Sequence, residues 1–171
     1  MLTHAEENYL KAIYHLSLSE KNGVSTNAIA LKMNTKASSV TDMIKKLSEK
    51  SFMNYQKYQG VNLTDQGKMT AKMVIRKHRL WEVFLVEKLD FSWDEVHNVA
   101  EELEHIKSEK LINKLDAFLG FPKEDPHGDP IPNAKGEITI SEKYLLAEMV
   151  ENTECICVGV KDTSSEFLQY L

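Results

Sequence analysis

With 171 residues, 42% hydrophobic and 27% charged, the chain has the makeup of an ordinary globular protein, long enough for one large domain or two small ones. No apolar run approaches the ~20 residues of a membrane span, the opening MLTHAEENYL lacks the basic start of a secretory signal, and two cysteines make no disulfide framework, so a cytoplasmic protein is expected. The net charge of −5 hides an asymmetry: residues 1–79 carry 13 Lys and Arg against 6 Asp and Glu, while residues 80–171 carry 8 against 20. Such a split points to a basic module facing DNA or a membrane, joined to an acidic module with another task, of which binding cations is the sharper option.

Thr3-His4-Ala5-Glu6 reads as a capping box, and Leu10, Ile13, Tyr14 and Leu16 to Leu18 form the apolar stripe of a first helix of about four turns. Lys21-Asn22-Gly23 ends it. Ser25 or Asn27 caps a short second helix through Met33, with Ile29, Ala30 and Met33 inward. Asn34-Thr35 turns the chain into a third helix from about Lys36 to Lys50, whose Val40, Ile44 and Leu47 form a core face. Two helices joined by so short a turn make a helix-turn-helix, and the second helix enters the major groove by its N-terminal end. Lys36, Ser38, Ser39, Thr41 and Asp42 stand at that end, and Lys45 adds positive charge behind them. Short hydroxyls there suit close approach to phosphates and base edges; a plain helical hairpin with a polar start is the alternative.

The following residues give that segment its context. Phe52 to Tyr58 and Val61 to Thr64 alternate as two short strands around a turn at Gln59-Gly60. A hairpin directly after a recognition helix is the wing of a winged helix, with Lys57 and Tyr58 at its tip as candidates for phosphate contacts.

Thr64 or Asp65 caps a long helix from about Gln66 to Leu89, with Met69, Met73, Leu80, Phe84 and Leu85 as an apolar stripe. Ser92 or Asp94 starts a fifth helix, and Ser108 a sixth that Gly120 terminates. From Phe121 to Gly136 the chain reads FPKEDPHGDPIPNAKG and holds all four prolines, which makes it an ordered loop; His127 reads as a turn residue within it. Ile138 to Leu171 looks β-rich, with Cys155 to Val160 as a strand that points Cys155 and Cys157 to one face.

One further pattern crosses these elements. His78 and Glu82 are four apart, and His97, Glu101, Glu104 and His105 stand at i, i+4, i+7 and i+8, offsets that share one helix face. Imidazoles with carboxylates suit divalent first-row metals, and carboxylate oxygens lean towards Mn and Fe. Glu101 and Glu104 on one face also repel each other unless a cation lies between them. A solvated acidic face with incidental histidines is the plainer alternative.

Taken together, ENYLKAIYHL, SSVTDMIKKL, YQKYQGVNLTDQG, RKHRLWEVFL, VHNVAEELEH and PHGDPIP resemble the diphtheria toxin repressor family of metal-dependent transcriptional regulators over almost the whole chain, and its manganese-responsive branch most. The resemblance implies a mainly α protein: a winged helix-turn-helix DNA-binding domain (residues 1–74), a helical dimerisation and metal-binding domain with the Pro-rich loop (75–140), and the start of a small SH3-like β domain (141–171). It implies a homodimeric repressor, not an enzyme, that binds a double-stranded operator, senses Mn2+ (or Fe2+) and controls metal-uptake genes. Glu101, Glu104 and His105 with Asn8 match the family's primary metal site, His78, Glu82 and His97 its second, and Glu166 a ligand supplied by longer members.

Three departures bear on the metal. Glu101 stands where iron-responsive members have Cys, and a carboxylate is the harder ligand, favouring manganese. Asn8 stands where Asp or Met is common; its amide brings no charge, which implies weaker binding, a water in that position, or recruitment of Glu7 or His4. Lys11 replaces an acid found in some manganese regulators, which argues against their two-metal arrangement. Two competing readings are a di-metal carboxylate enzyme built on Glu102-x-x-His105 and Asp94-x-x-His97, and a winged-helix protein that binds DNA without metal.

Overall fold

A computed structural model of the chain describes residues 1–171 except 21, 57–59, 161–164 and 170–171. The expected wing-tip residues Lys57 and Tyr58 lie outside the described residues. The chain divides into two compact units, Met1–Ile75 and Arg76–Leu171.

The first unit holds α1 (His4–Ser17), α2 (Thr26–Lys32), α3 (Ala37–Glu49), β1 (Met53–Gln56), β2 (Gly60–Leu63) and the first part of α4 (Asp65–Leu89). The capping box is present: the Glu6 amide donates to Thr3 Oγ1, and Glu6 Oε2 accepts from the Thr3 amide at 3.0 Å. Ser25 caps α2 by accepting from the Ala28 amide. Thr64 Oγ1 accepts from the Gly67 amide at 3.1 Å at the head of α4 and donates to Ser51 O, tying that helix to the turn before the hairpin.

Leu10 and Ile13 of α1, Ile29 of α2, and Val40, Ile44 and Leu47 of α3 meet Met53, Val61 and Leu63 of the hairpin in one core, with Ala71 from α4. The apolar positions recur every three or four residues on the helices and every second residue on β2, so each element offers one apolar side. β1 and β2 pair antiparallel with Met53 opposite Leu63 and Gln56 opposite Gly60, and Val24 adds a bridge to Val61. Gly60, at φ +75°, lets the backbone turn there; a Cβ would lie 2.8 Å from Val24 O.

In the second unit, the rest of α4 packs with α5 (Val96–Leu103), α6 (Glu109–Phe118) and the Pro-rich loop. Leu80 and Val83 meet Ile112, Leu115 and Ile131, and Leu85 meets Val96 and Ala100. Arg76 pairs with Asp116 at 2.9 Å, fixing α6 to the same helix through a buried charge pair.

Three expectations differ from what is observed. Met69 of the expected α4 stripe is exposed, because the buried side of that helix runs through Ala71, Val74, Ile75, Leu80, Val83 and Leu85. Helix α5 begins at Val96 without a side-chain cap and stops at Leu103, so Glu104 is its C-cap residue and His105 lies past its end. The expected strands after Ile138 are absent among the described residues, which hold a 3-10 turn at Leu146–Glu148 and a short helix α7 (Ser165–Leu168). Cys155 to Val160 forms no strand and has no ladder partner among the described residues; Ile156 is exposed, and so are both cysteines. A strand exists only with a neighbour to take its hydrogen bonds.

Candidate metal centre and nucleic-acid interface

One turn of α4 brings His78 and Glu82 to the same side, as an i, i+4 pair must lie. His78 Nε2 is 3.0 Å from Glu82 Oε1 and 3.2 Å from Nδ1 of His97 on α5. His97 Nδ1 is itself 3.4 Å from Glu82 Oε1. Glu82 is only 2% exposed. Burial pushes its carboxyl up, but hydrogen bonds from His78 and His97 outweigh that and hold it at about 2.

The Pro-rich loop completes this cluster from the other side. Asp125 Oδ1 accepts from the amides of His127 and Asp129, both at 2.9 Å, and so shapes the turn. His127 is thereby buried, with Nδ1 3.9 Å from Glu82 Oε1 and Nε2 3.1 Å from the Trp93 carbonyl. A carbonyl only accepts, so Nε2 carries a proton and donates to it, and this turns Nδ1 towards Glu82. Histidines that bind metals are commonly fixed in this way by a carbonyl on the far nitrogen.

Asp125 is buried as well. Desolvation, then the neighbouring Glu82 charge, raises its carboxyl to about 6 against the pull of the Asp129 amide and Arg79. Arg79 spans the loop, with Nε 3.3 Å from Asp125, Nη2 3.0 Å from Asp129 and Nη1 on the Pro130 carbonyl.

Two sets of donors therefore share Glu82: His78, Glu82 and His97, and Glu82, Asp125 and His127; in each, one ligand atom per residue lies within 4.8 Å of the others. His78 reaches further still. Its Nδ1 is 2.7 Å from Oε2 of Glu104, which is fully buried, and Glu104 Oε1 is 3.7 Å from His105 Nε2. Glu101 Oε1 is 3.6 Å from His97 Nε2, with both side chains about half exposed. Imidazole nitrogens and buried carboxylates, with no thiolate among them, fit a divalent cation of borderline to hard character.

Residues 1–61 match the iron-dependent repressor N-terminal DNA-binding domain, and residues 64–133 match the iron-dependent repressor metal-binding and dimerisation domain. A helix-turn-helix transcriptional regulator of Methanocaldococcus jannaschii is 33% identical over 118 residues, 69% of this chain and 94% of the relative. The chain belongs to the iron-dependent repressor family. Members of this family are metal-sensing transcriptional regulators. The iron-dependent repressor IdeR of Mycobacterium tuberculosis is 32% identical over 133 residues; that match takes in 77% of this chain and spans just over half, 56%, of the relative. A solved manganese-dependent transcriptional repressor in complex with manganese superimposes with a TM-score of 0.81 at 37% identity, over 96% of this chain and 76% of the other.

Within this family frame the remaining candidates take their places. Asn8 lies on α1 in the first unit, and its Oδ1 is buried without a hydrogen-bond partner. Glu166 is exposed on α7. The di-metal reading loses its pairing, because Glu102 is exposed while His105 is buried.

Of the candidate DNA contacts, Lys36 at the N-cap of α3 and Ser38, Ser39, Asp42 and Lys45 along it are exposed. Thr41 is half-buried, and its hydroxyl donates to Ala37 O at 3.0 Å. Asp42 and Lys45 lie 4.0 Å apart as an exposed pair.

The sequence reads His127 as a turn residue, which it is, and does not single out Asp125. Their ring and carboxylate reach Glu82 from more than forty residues away in a loop, where no periodicity applies. The signal that could have found them was chemical: a histidine flanked by Asp125, Gly128 and Asp129 in a proline-fixed turn has the composition of a built site.

Proposed function

We propose that the chain is a repressor that responds to Mn2+ in preference to Fe2+, acts as a cytoplasmic homodimer on an operator of double-stranded DNA, controls metal-uptake genes and catalyses nothing. The convergence of His78, His97 and His127 on one buried oxygen of Glu82 carries this reading. Those residues, with Asp125, would hold the cation; Glu101, Glu104 and His105 with Asn8, and Glu166 more remotely, are the further ligands the resemblance supplies. The domains follow the same proposal: residues 1–74 bind DNA, 75–140 bind metal and dimerise, and 141–171 open an SH3-like domain.

A bound divalent cation supplies positive charge that offsets the buried carboxylates. The protein's own residues do the rest. His78 and His97 keep Glu82 ionised and ready, Trp93 O orients the His127 ring, and the N/O donor set favours Mn2+ over metals that prefer thiolates. The response is a shift of population towards a DNA-competent dimer, no larger than the cation's differential affinity for the two states. DNA affinity then depends on salt through Lys36, Lys45 and their neighbours.

Fluorescence anisotropy on DNA from upstream of metal-transporter genes tests this, with chelator, Mn2+, anaerobic Fe2+ or Zn2+. Binding with Mn2+ above all is expected, and its loss in Glu82→Gln. A preference for Fe2+ overturns the choice of metal, and equal binding in chelator overturns the metal mechanism.

A further inference from the structure

The cluster on Glu82 depends on where the His127 turn is held, and a second segment of the same unit holds it. The Val160 amide donates to His127 O at 3.1 Å. Lys143 Nζ donates to Gly128 O and pairs with Glu124 at 2.9 Å, clamping the turn at a second point.

Backbone lies directly on backbone here. A Cβ on Gly159 would fall 2.6 Å from His127 O and 2.9 Å from Gly128 Cα. A Cβ on Gly128 would fall 2.4 Å from Val158 O and 2.7 Å from Gly159 Cα. Gly128 has the further reason of φ +88°, but Gly159 lies outside the left-handed region. Its missing side chain therefore serves the close approach and nothing else.

The same peptide that accepts from Val160 carries the imidazole whose Nε2 sits on Trp93 O and whose Nδ1 faces Glu82. Moving His127 O by the amount an alanine at 159 demands must move that ring, because both ends of the residue are fixed. Metal sites lose affinity when their supporting groups shift by this order.

We propose that Gly159 is a positioning residue for His127, and that the segment 157–160 is a strap whose seating on the His127–Gly128 turn and metal binding at Glu82, Asp125 and His127 reinforce each other. This rests on the reading of His127 as a ligand. Reciprocity follows from linkage: if the strap raises Mn2+ affinity, Mn2+ tightens the strap by the same factor.

The test uses the full chain and Mn2+ itself, with free Mn2+ followed by its electron paramagnetic resonance and the Val160 amide by hydrogen exchange. Gly159→Ala is expected to weaken Mn2+ binding about tenfold, the lower end of losses from outer groups. Mn2+ is expected to slow Val160 exchange in the unmodified protein. Unchanged affinity in Gly159→Ala overturns the proposal; should that variant fail to fold, Val160 exchange that ignores Mn2+ overturns it. His127→Ala separates the two levels, since it keeps the carbonyl that the strap uses. If His127→Ala binds Mn2+ normally, the ligand reading fails; if it weakens binding while Gly159→Ala does not, only the strap fails.

Discussion

Nδ1 of His78 lies 2.7 Å from Oε2 of the fully buried Glu104. Nε2 of the same ring lies 3.0 Å from Glu82 Oε1. One imidazole thus stands between the two ligand sets that the resemblance treats as separate sites, and each of its nitrogens serves one of them. His78→Ala is expected to lower Mn2+ affinity in both sets together, by at least the ~10- to 100-fold that loss of an outer-shell partner costs. Isothermal titration would show it; loss of one class of sites with the other intact would break the shared-ring interpretation. The apo protein should also melt earlier, because Glu104 loses a buried partner.

The fold of the first unit was legible because its signals are local. Thr3 with Glu6, Ser25, and the alternation in Val61 and Leu63 each announce an element within a few residues. The tail after Ile138 was misread for the opposite reason. Residues such as Val158 and Ile156 have the composition of a strand, but pairing is a tertiary event, and among the described residues nothing pairs with them. The site divides in the same way. His78 and Glu82 show their spacing in the sequence, whereas the end of α5 at Leu103 turns Glu104 and His105 inward and leaves His97 and Glu101 half exposed. Helical periodicity predicts one face only for as long as the helix lasts.

Gly67 tests the packing of α4 on the hairpin turn. A Cβ there would lie 2.0 Å from Phe52 O, which also accepts from the Thr64 amide. Helix propensity alone would make Gly67→Ala stabilising by up to ~1 kcal/mol. The clash is with backbone, so it should win: a net loss of about 1–3 kcal/mol, as overpacking costs. Chemical denaturation settles the sign, and a stabilised variant would mean that the Ser51–Phe52 turn yields freely.

The ion pair of Lys50 and Glu6 should shape the acid limb of stability. Lys50 Nζ is 2.6 Å from Glu6 Oε1, with the Glu6 side chain buried. The hydrogen bond from Lys50 is the largest influence on that carboxyl and outweighs burial, so its pKa is lowered. A lowered folded pKa contributes stability that is fully present above the unfolded value of 4.5 and is lost as pH falls through the folded one. Lys50→Met should therefore cost on the order of 1 kcal/mol at neutral pH. The gap to the unmodified protein should narrow in urea titrations as pH falls below about 4.5. A gap that stays constant with pH would assign the loss to packing of the lysine stem.

Ser39 and Thr41 stand two residues apart on α3, yet they should behave differently towards DNA. Thr41 already donates its hydroxyl proton to Ala37 O at 3.0 Å and is half-buried, whereas Ser39 is exposed near the start of the helix proposed to enter the groove. A hydroxyl that is already spent on its own helix has little left for a phosphate or base. Thr41→Val keeps the shape and should change operator affinity by less than about twofold. Ser39→Ala removes a free donor and should cost roughly fivefold, the worth of one hydrogen bond of ~1 kcal/mol. Lys36→Ala belongs to a third class: it should weaken all DNA sequences alike and lower the slope of log affinity against log salt by about one. Anisotropy titrations at several salt concentrations distinguish the three patterns, and a Thr41→Val loss as large as that of Ser39→Ala would show that the threonine turns from its helix to meet the DNA.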